Sequence, residues 1–403
     1  MALTRWQLDD RRVVVSHKDD AVTVSLTEEE LVSYDLAGRF LGSYHHGTNI
    51  RRGLDNTFQQ RWRMRGGNAN RPRHRVLPDI EARARLEGLR SQVSRLLADK
   101  ATACTHPATA EVLRRAAAYT YDRLAESART FASLYGHIPI LPPDQYRALV
   151  VQATDGCTYN RCTFCTLYRA KSFHVRAPEN FRRHIQQVLD FMGAGLSYRT
   201  SLFLGDANAI AIATPRLMEL MDVLRETTAL KPVINQGGIH AFLDIYTGTH
   251  KSAQDYRTLK GLGLRRVSLG VESGSEALLA FVQKPGARRD IHDVVSTLKE
   301  AGVAVVIIFM VGLGGHRYRE EHLAESASLV GMLPLSRGDI IYLSQFSPAP
   351  PAPYLSIAAE LGVAPLSDDE IIEETRRWKT VLVRAVGETG TKVAPYSFQR
   401  FIY

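Results

Sequence analysis

Cys157, Cys162 and Cys165, three of the four cysteines in the chain, sit in one run, Asp155-Gly-Cys-Thr-Tyr-Asn-Arg-Cys-Thr-Phe-Cys-Thr-Leu-Tyr168. Three thiolates on a short loop can ligate three irons of a cubane cluster and leave the fourth without a protein ligand. An open metal position is where a site binds and activates something. The spacing therefore points to chemistry rather than to a structural staple. A disulfide framework suits it badly, because the thiols are crowded and residues 1–10 contain no apolar stretch of the secretory kind. Zinc held by these thiols and His174 is an alternative reading, although structural zinc usually joins two separated knuckles. Structural cysteines clustered by chance are another. Cys104 stands apart and reads as a small buried hydrophobe.

Such a loop needs a scaffold. The apolar run 148–152 leads into it and reads as a buried strand. Further strand-like runs lie at 200–204, 233–236, 266–271, 303–311 and 339–345, with amphipathic helical patterns between them at 179–191, 215–225, 253–262, 291–301 and 320–332. This alternation implies a parallel sheet with helices on its outer faces. Six such units make an α/β fold, a partial (β/α)6 barrel of TIM type. The expected division is an N-terminal α+β accessory region over 1–145, the barrel over 146–346 and a C-terminal helical extension over 347–403. The first region opens with strand-like pieces at 12–16 and 21–26 and continues with helical patterns near 80–100 and 108–135. After the barrel come a proline-rich turn-out at 347–353, a charged helix at 367–386 and an aromatic tail.

Barrels of this kind bind ligands where the strands end, and four strand ends carry suggestive residues. The first leads into the cysteine loop. The second gives Phe203-Leu-Gly-Asp-Ala-Asn-Ala209, where Gly205 permits close backbone approach and Asp206 offers a carboxylate. The fourth gives Gly270-Val-Glu-Ser-Gly-Ser275 and the fifth Met310-Val-Gly-Leu-Gly-Gly315. One glycine after a strand is only a turn; the ordered set of four says more. The constellation over 147–346 resembles the radical S-adenosylmethionine (radical SAM) superfamily, especially its tRNA-modifying and cobalamin-type branch. The resemblance implies that Cys157, Cys162 and Cys165 hold a [4Fe-4S] cluster whose free iron chelates the amine and carboxylate of SAM. It implies that Phe164 packs on the adenine and that Gly205 and Asp206 stand where the family holds the SAM amine. By the same likeness Glu272 and Ser273 reach the ribose and methionine, Val311 and Gly312 support the adenine, and Arg176 is the arginine that follows the loop in this branch. There are departures. Four residues rather than three separate the first two cysteines, Asp206 replaces a longer glutamate, and Gly315 lacks the acidic partner of the fifth motif.

The activity the resemblance implies is reductive cleavage of SAM to a 5′-deoxyadenosyl radical. That radical would abstract hydrogen from a small molecule or biosynthetic intermediate, with flavodoxin or ferredoxin as electron donor. No residue is assigned to act on the substrate. Cys104 alone cannot ligate an auxiliary cluster, and no Asp-x-His-x-x-Gly cobalamin signature precedes the barrel. A tRNA- or RNA-modifying enzyme is the second reading, motivated by charge. The net charge is +9, and residues 51–100 hold 13 Arg/Lys against 5 Asp/Glu. The densest part carries Arg51, Arg52, Arg61, Arg63, Arg65, Arg71, Arg73 and Arg75, with Phe58 and Trp62 among them. Such a stretch suits phosphates and bases, and equally an ordinary solvated loop. A non-catalytic iron–sulfur sensing protein is a third reading. No run approaches a membrane-spanning length, so no membrane association is expected. With an oxygen-sensitive cluster, the expected compartment is the cytoplasm.

Overall fold

The computed structural model describes residues 2–8, 11–63, 72–98, 106–396 and 401–403; Cys104, Arg65 and Arg71 lie outside them. The chain forms two compact units, one of residues 1–138, 185–200 and 400–403 and the other of 139–184 and 201–399.

The first unit opens with β1 (Ala2–Leu8), β2 (Arg11–His17), β3 (Ala21–Thr27), β4 (Glu30–Asp35), β5 (Phe40–His45), β6 (Thr48–Arg52), β7 (Phe58–Arg63) and β8 (Pro72–Val76). They form an antiparallel meander in chain order. Period-two alternation puts Val13, Val15, Val22, Val24 and Val32 on one face, with no exposed surface. That face packs with Leu86, Leu89, Leu113 and Leu124 of the helices α1 (Asp79–Ala98), α2 (Pro107–Ala118) and α3 (Tyr121–Tyr135). The basic stretch is not a solvated loop. Its described residues supply β6, β7 and β8, because Ile50 and Phe58 alternate with its arginines and reach the core.

From β9 (Ala148–Gln152) the chain changes character. The hairpin β10 (Thr154–Asp155) and β11 (His174–Val175) follows, then α4 (Pro178–Met192), β12 (Ser201–Gly205) and α5 (Thr214–Glu226). Next come α6 (Lys231–Gly237), β13 (Ile239–Leu243), α7 (Ile245–Gly248), α8 (Ala253–Gly261) and β14 (Leu264–Glu272). The remaining elements are α9 (Glu276–Phe281), α10 (Arg288–Glu300), β15 (Ala304–Val311), α11 (Arg319–Met332), β16 (Ile340–Gln345), α12 (Tyr354–Glu360), α13 (Asp368–Val386) and β17 (Lys392–Tyr396). The strands form one parallel sheet in the order β9-β12-β13-β14-β15-β16-β17. Every residue of β9 and β12 is buried, as expected of strands covered on both faces. The fold is an α/β partial barrel; β9 and β17 are its edges and do not pair, so it is not closed.

Two placements differ from the sequence reading. Residues 233–236 lie in α6, where Pro232 occupies a first-turn position that suits its fixed φ. Gly238, at φ +78°, ends that helix by donating to Ile234 O at 2.8 Å. The third strand is β13, directly after it. The tail adds a seventh strand, β17, whose Tyr396 hydroxyl donates to Leu141 O at 2.9 Å. The lower barrel is filled by Val306, Ile308, Tyr342 and Tyr396, with Ile140, Tyr146 and Phe242 against them.

Candidate functional site

The hairpin registers Thr154 with Val175 and Asp155 with His174, and the cysteine loop is what it encloses. Gly156 enters the loop at φ +73°, and a Cβ there would lie 2.6 Å from Ser172 O, so only glycine fits. The additional residue between the first two cysteines is absorbed at Asn160, whose φ is +54°, a region asparagine tolerates. Its amide donates to Tyr168 O at 2.8 Å and Lys171 O at 3.1 Å. Arg169 clamps the other half, donating to Cys165 O and Cys162 O, both at 2.7 Å. Thr158 donates to Asp244 Oδ2 at 2.8 Å and accepts from Asn208 Nδ2 at 2.8 Å. Asp244 also caps α7 by accepting from Thr247 N–H at 2.7 Å. Asp244 and Asn208 follow β13 and β12, so two further strand ends hold the bulged half of the loop. Asp244 goes unnoticed in the sequence once the third strand is placed at 233–236. The signal for it is an N-cap Asp-x-x-Thr directly after the apolar run 239–243.

All three thiols are free and partly buried. Burial pushes the Cys162 thiol up to about 11, against the opposing pull of Lys284, and pushes Cys165 up as well. Lys284 Nζ lies 3.6 Å from Glu272 Oε1, with the two side chains 13% and 11% exposed. Burial acts to lower the Lys284 pKa, but Glu272 and then Cys162 raise it, and the net direction is up, so the ammonium keeps its charge. Glu272 ends β14 at φ +62°, after a register shift between Gly270 and Glu272. Its Oε2 is buried without a hydrogen-bond partner. Burial raises its pKa and Lys284 opposes the rise. Asp206 is 6% exposed and donates its N–H to Thr154 Oγ1 at 2.9 Å. Lys171 Nζ donates to Asp206 Oδ2 at 3.4 Å. Burial raises this carboxyl's pKa too, with Lys171 opposing. Each expected carboxylate thus stands beside a lysine that the sequence reading did not single out.

The remaining expected residues divide. Phe164 packs on the cluster of Leu278, Val282, Leu313, Phe346 and Tyr354, a broad apolar wall beside the loop. Ser273 is fully buried, and its hydroxyl accepts from Ser275 N–H at 2.9 Å within its own turn. Val311 is fully buried. Gly312 has φ +86°, and a Cβ there would collide with Ile371 Cδ1, so this glycine admits α13. Arg176 pairs with Asp155 at 3.1 Å on the hairpin. Behind Glu272, His322 Nε2 donates to Glu272 O at 3.1 Å. Burial holds the His322 pKa down to about 4, so its ring is neutral. The ring meets Trp378 at 4.5 Å between centroids. Trp378 Nε1 donates to Glu374 Oε1 at 3.1 Å, and Arg319 Nε donates to Glu374 Oε2 at 2.6 Å. Helix α13 therefore braces the end of β14 through one buried chain of contacts.

Among the described residues, no group of three or more His, Cys, Asp or Glu side chains is arranged around a single metal ion. His174 is exposed on β11. In a cubane cluster each thiolate takes a different iron. A three-thiol loop with a buried ammonium beside it fits that demand in donor type and in charge. The open Oε2 of Glu272 next to Lys284 likewise fits a ligand that carries both an amine and a carboxylate.

Residues 151–327 match the Radical SAM superfamily. No curated protein matches the chain. Among solved structures, the chain is similar to coproporphyrinogen III oxidase (HemN) from Escherichia coli, described as a radical SAM enzyme. The identity is 17%, over 64% of this chain and 56% of that one, with a TM-score of 0.43. A radical SAM methyltransferase from Sphaerobacter thermophilus is 15% identical over 64% of this chain and 68% of its own, with a TM-score of 0.43. TsrM from Kitasatospora setae, a radical S-adenosylmethionine methyltransferase solved with cobalamin and a [4Fe-4S] cluster, is 16% identical over 50% of this chain, with a TM-score of 0.37. The chain spans 37% of the length of TsrM.

Proposed function

We propose, on the premise that residues 151–327 make this chain a member of the radical SAM superfamily, that it acts by hydrogen abstraction on a small molecule or biosynthetic intermediate. It is an enzyme of a family that uses a [4Fe-4S] cluster and SAM. The observation that carries the reading is the cysteine loop, with three free thiols on a backbone clamped from both sides. When bound, the reduced cluster would supply one electron to the sulfonium carbon–sulfur bond of SAM, leaving methionine and a 5′-deoxyadenosyl radical.

The chain's own residues bind, orient and shield. Cys157, Cys162 and Cys165 are the proposed ligands, and Arg169, Asn160 and the Thr158–Asp244 pair hold their loop. Lys284 offsets negative charge at the loop and offers a cation to the SAM carboxylate. Glu272 Oε2 and Asp206 accept from the SAM amine, with Lys171 sharing Asp206. Gly205, Ser273, Val311 and Gly312 shape the strand ends around them, and Arg176 fixes the hairpin through Asp155. Phe164 and its apolar wall offer the adenine a face. The aromatic filling of the lower barrel confines reaction to the strand ends and keeps water from below. A one-electron donor of the flavodoxin or ferredoxin class completes the balance. The second reading, RNA as the substrate, is favoured by the arginines that β6 to β8 carry.

Anaerobic reconstitution should give about four iron per chain, and dithionite with SAM should release 5′-deoxyadenosine, measured by chromatography. The Cys162→Ala protein should release none. Zinc in place of iron, or an unchanged yield from that variant, would sink the reading.

A further inference from the structure

The sheet of the first unit has two faces of opposite character. One is the valine face packed on the helices. On the other, the strand registers align two cross-strand rows that run the full width from β1 to β8. No aspartate or glutamate stands in either row. Arg5, Arg51, Arg61 and His74 do, with Tyr44 and Asn49 among them, and most of the rest are hydroxyl or aliphatic side chains. The carboxylates of these strands are already engaged: Glu30 pairs with Arg85 of α1, and Asp35, beyond the two rows at the end of β4, is buried against Arg39. Arg5 and Asn49 are exposed, and Tyr44, Arg51, Arg61 and His74 are half-buried.

Seven inter-strand steps of about 4.8 Å make this face about 34 Å wide. Cations at both of its ends suit a polyanion rather than a single phosphate. A phosphodiester chain needs cations at intervals, and hydroxyl and amide side chains to bond its sugars and phosphates. A sheet face with an aromatic ring also gives an unpaired base something to stack on. The strongly exposed apolar side chains in these rows, Leu3 and Val76, sit on opposite edge strands, which is a poor arrangement for insertion into a membrane. We infer that this face of the N-terminal sheet binds RNA through its sugar–phosphate backbone. The inference rests on the first unit alone and holds whatever molecule the radical attacks.

The test uses the full-length reconstituted chain and a labelled mixed tRNA pool, titrated by fluorescence anisotropy from about 50 to 200 mM KCl. The expected log–log slope is about −2 to −3, since each neutralised phosphate contributes about −0.7 to −0.9. The Arg51→Ala/Arg61→Ala protein should bind at least tenfold more weakly at the lowest salt, with a slope shallower by about 1.5. Arg5→Glu, at an exposed position with no packing to lose, should weaken binding in the same direction and guards against misfolding of the double variant. Arg75→Ala, on the opposite face where Arg75 bonds Gln60 and Glu81, should bind as the parent does. Cys162→Ala should keep RNA binding while losing its iron, which separates failure here from failure of the SAM reading. Parent-like binding by both the double variant and Arg5→Glu would overturn the inference. So would salt-independent binding, or binding to phosphatidylglycerol vesicles with none to tRNA.

Discussion

Glu272 and Asp206 are acidic side chains buried at strand ends, and each is shadowed by a lysine. If they receive the amine of SAM, isosteric neutralisation removes a charge-assisted hydrogen bond and little else. Glu272→Gln and Asp206→Asn should each keep iron and visible spectrum but bind SAM more weakly by about 1.5–3 kcal/mol. Equilibrium dialysis with labelled SAM reads this directly. Parent-like affinity in both would return the two strand ends to ordinary turns, and loss of iron in either would mean that the carboxylate supports the loop instead. At this scale the sequence was partly legible. A cysteine triad and a carboxylate after a strand are visible because their residue types and positions are unusual. Lys284 in its Gln-Lys-Pro-Gly turn and Lys171 inside the loop look like any solvated lysine, since only the fold reveals the buried carboxylates beside them. Phe164 stands against an apolar wall that is assembled from four separate stretches of chain.

Elements were legible where their period was long and their caps were distinct. Helix α13 starts at a Ser367–Glu370 capping box and ends at Gly387, and the sequence placed it closely. The short run 233–236 opens with the β-branched Val233 and Ile234, which suit either a strand or a helix turn; the proline before it and the glycines after it decided for the helix. That misplacement hid Asp244. β17 escaped notice because it is short, contains Pro395 and lies at an edge, where a missing N–H is tolerated. The packing of α13 on the end of β15 yields a test. Gly312→Ala must adopt φ +86° and displace Ile371 Cδ1, which should destabilise the protein by about 2–4 kcal/mol in urea unfolding. Adding Ile371→Ala relieves the collision but not the backbone strain. The double variant should therefore be more stable than the sum of the two singles predicts, by about 1 kcal/mol or more. Strict additivity would show that α13 does not press on this turn.

Across the whole molecule, three buried histidines tie stability to pH. His184, His240 and His322 each have a pKa lowered from 6.5 to about 4, with burial as the first cause. The unfolded chain binds their protons below 6.5 and the folded chain does not. Their contribution is therefore full above pH 6.5 and is lost as pH falls towards 4, at about 1.4 kcal/mol per pH unit for each histidine. Glu272 and Asp206, raised by burial, act in the opposite sense and soften the slope. Unfolding free energy from urea titrations should fall between pH 6.5 and 5, and His322→Gln should remove about 1.4 kcal/mol per pH unit of that fall. An unchanged slope in the variant would show that His322 is not the buried neutral base described. At this scale the alternation of strands and helices made the partial barrel readable. The antiparallel sheet of the first unit was not, because its arginines masked the two-residue period of β6 to β8.

The brace behind the site also sets an order in time. The end of β14 leaves the ribosome well before α13, which braces it through Trp378 and Glu374, and before β17, whose Tyr396 bonds Leu141 O. Until those last segments emerge, Glu272 has no rigid backing, and the lower barrel lacks the tyrosine that links its two edges. A nascent chain can therefore display its thiols without possessing a finished site. Delivery of iron and sulfide should therefore follow the folding of α13 and β17 onto the barrel, in the way that a keystone must be seated before an arch can carry its load.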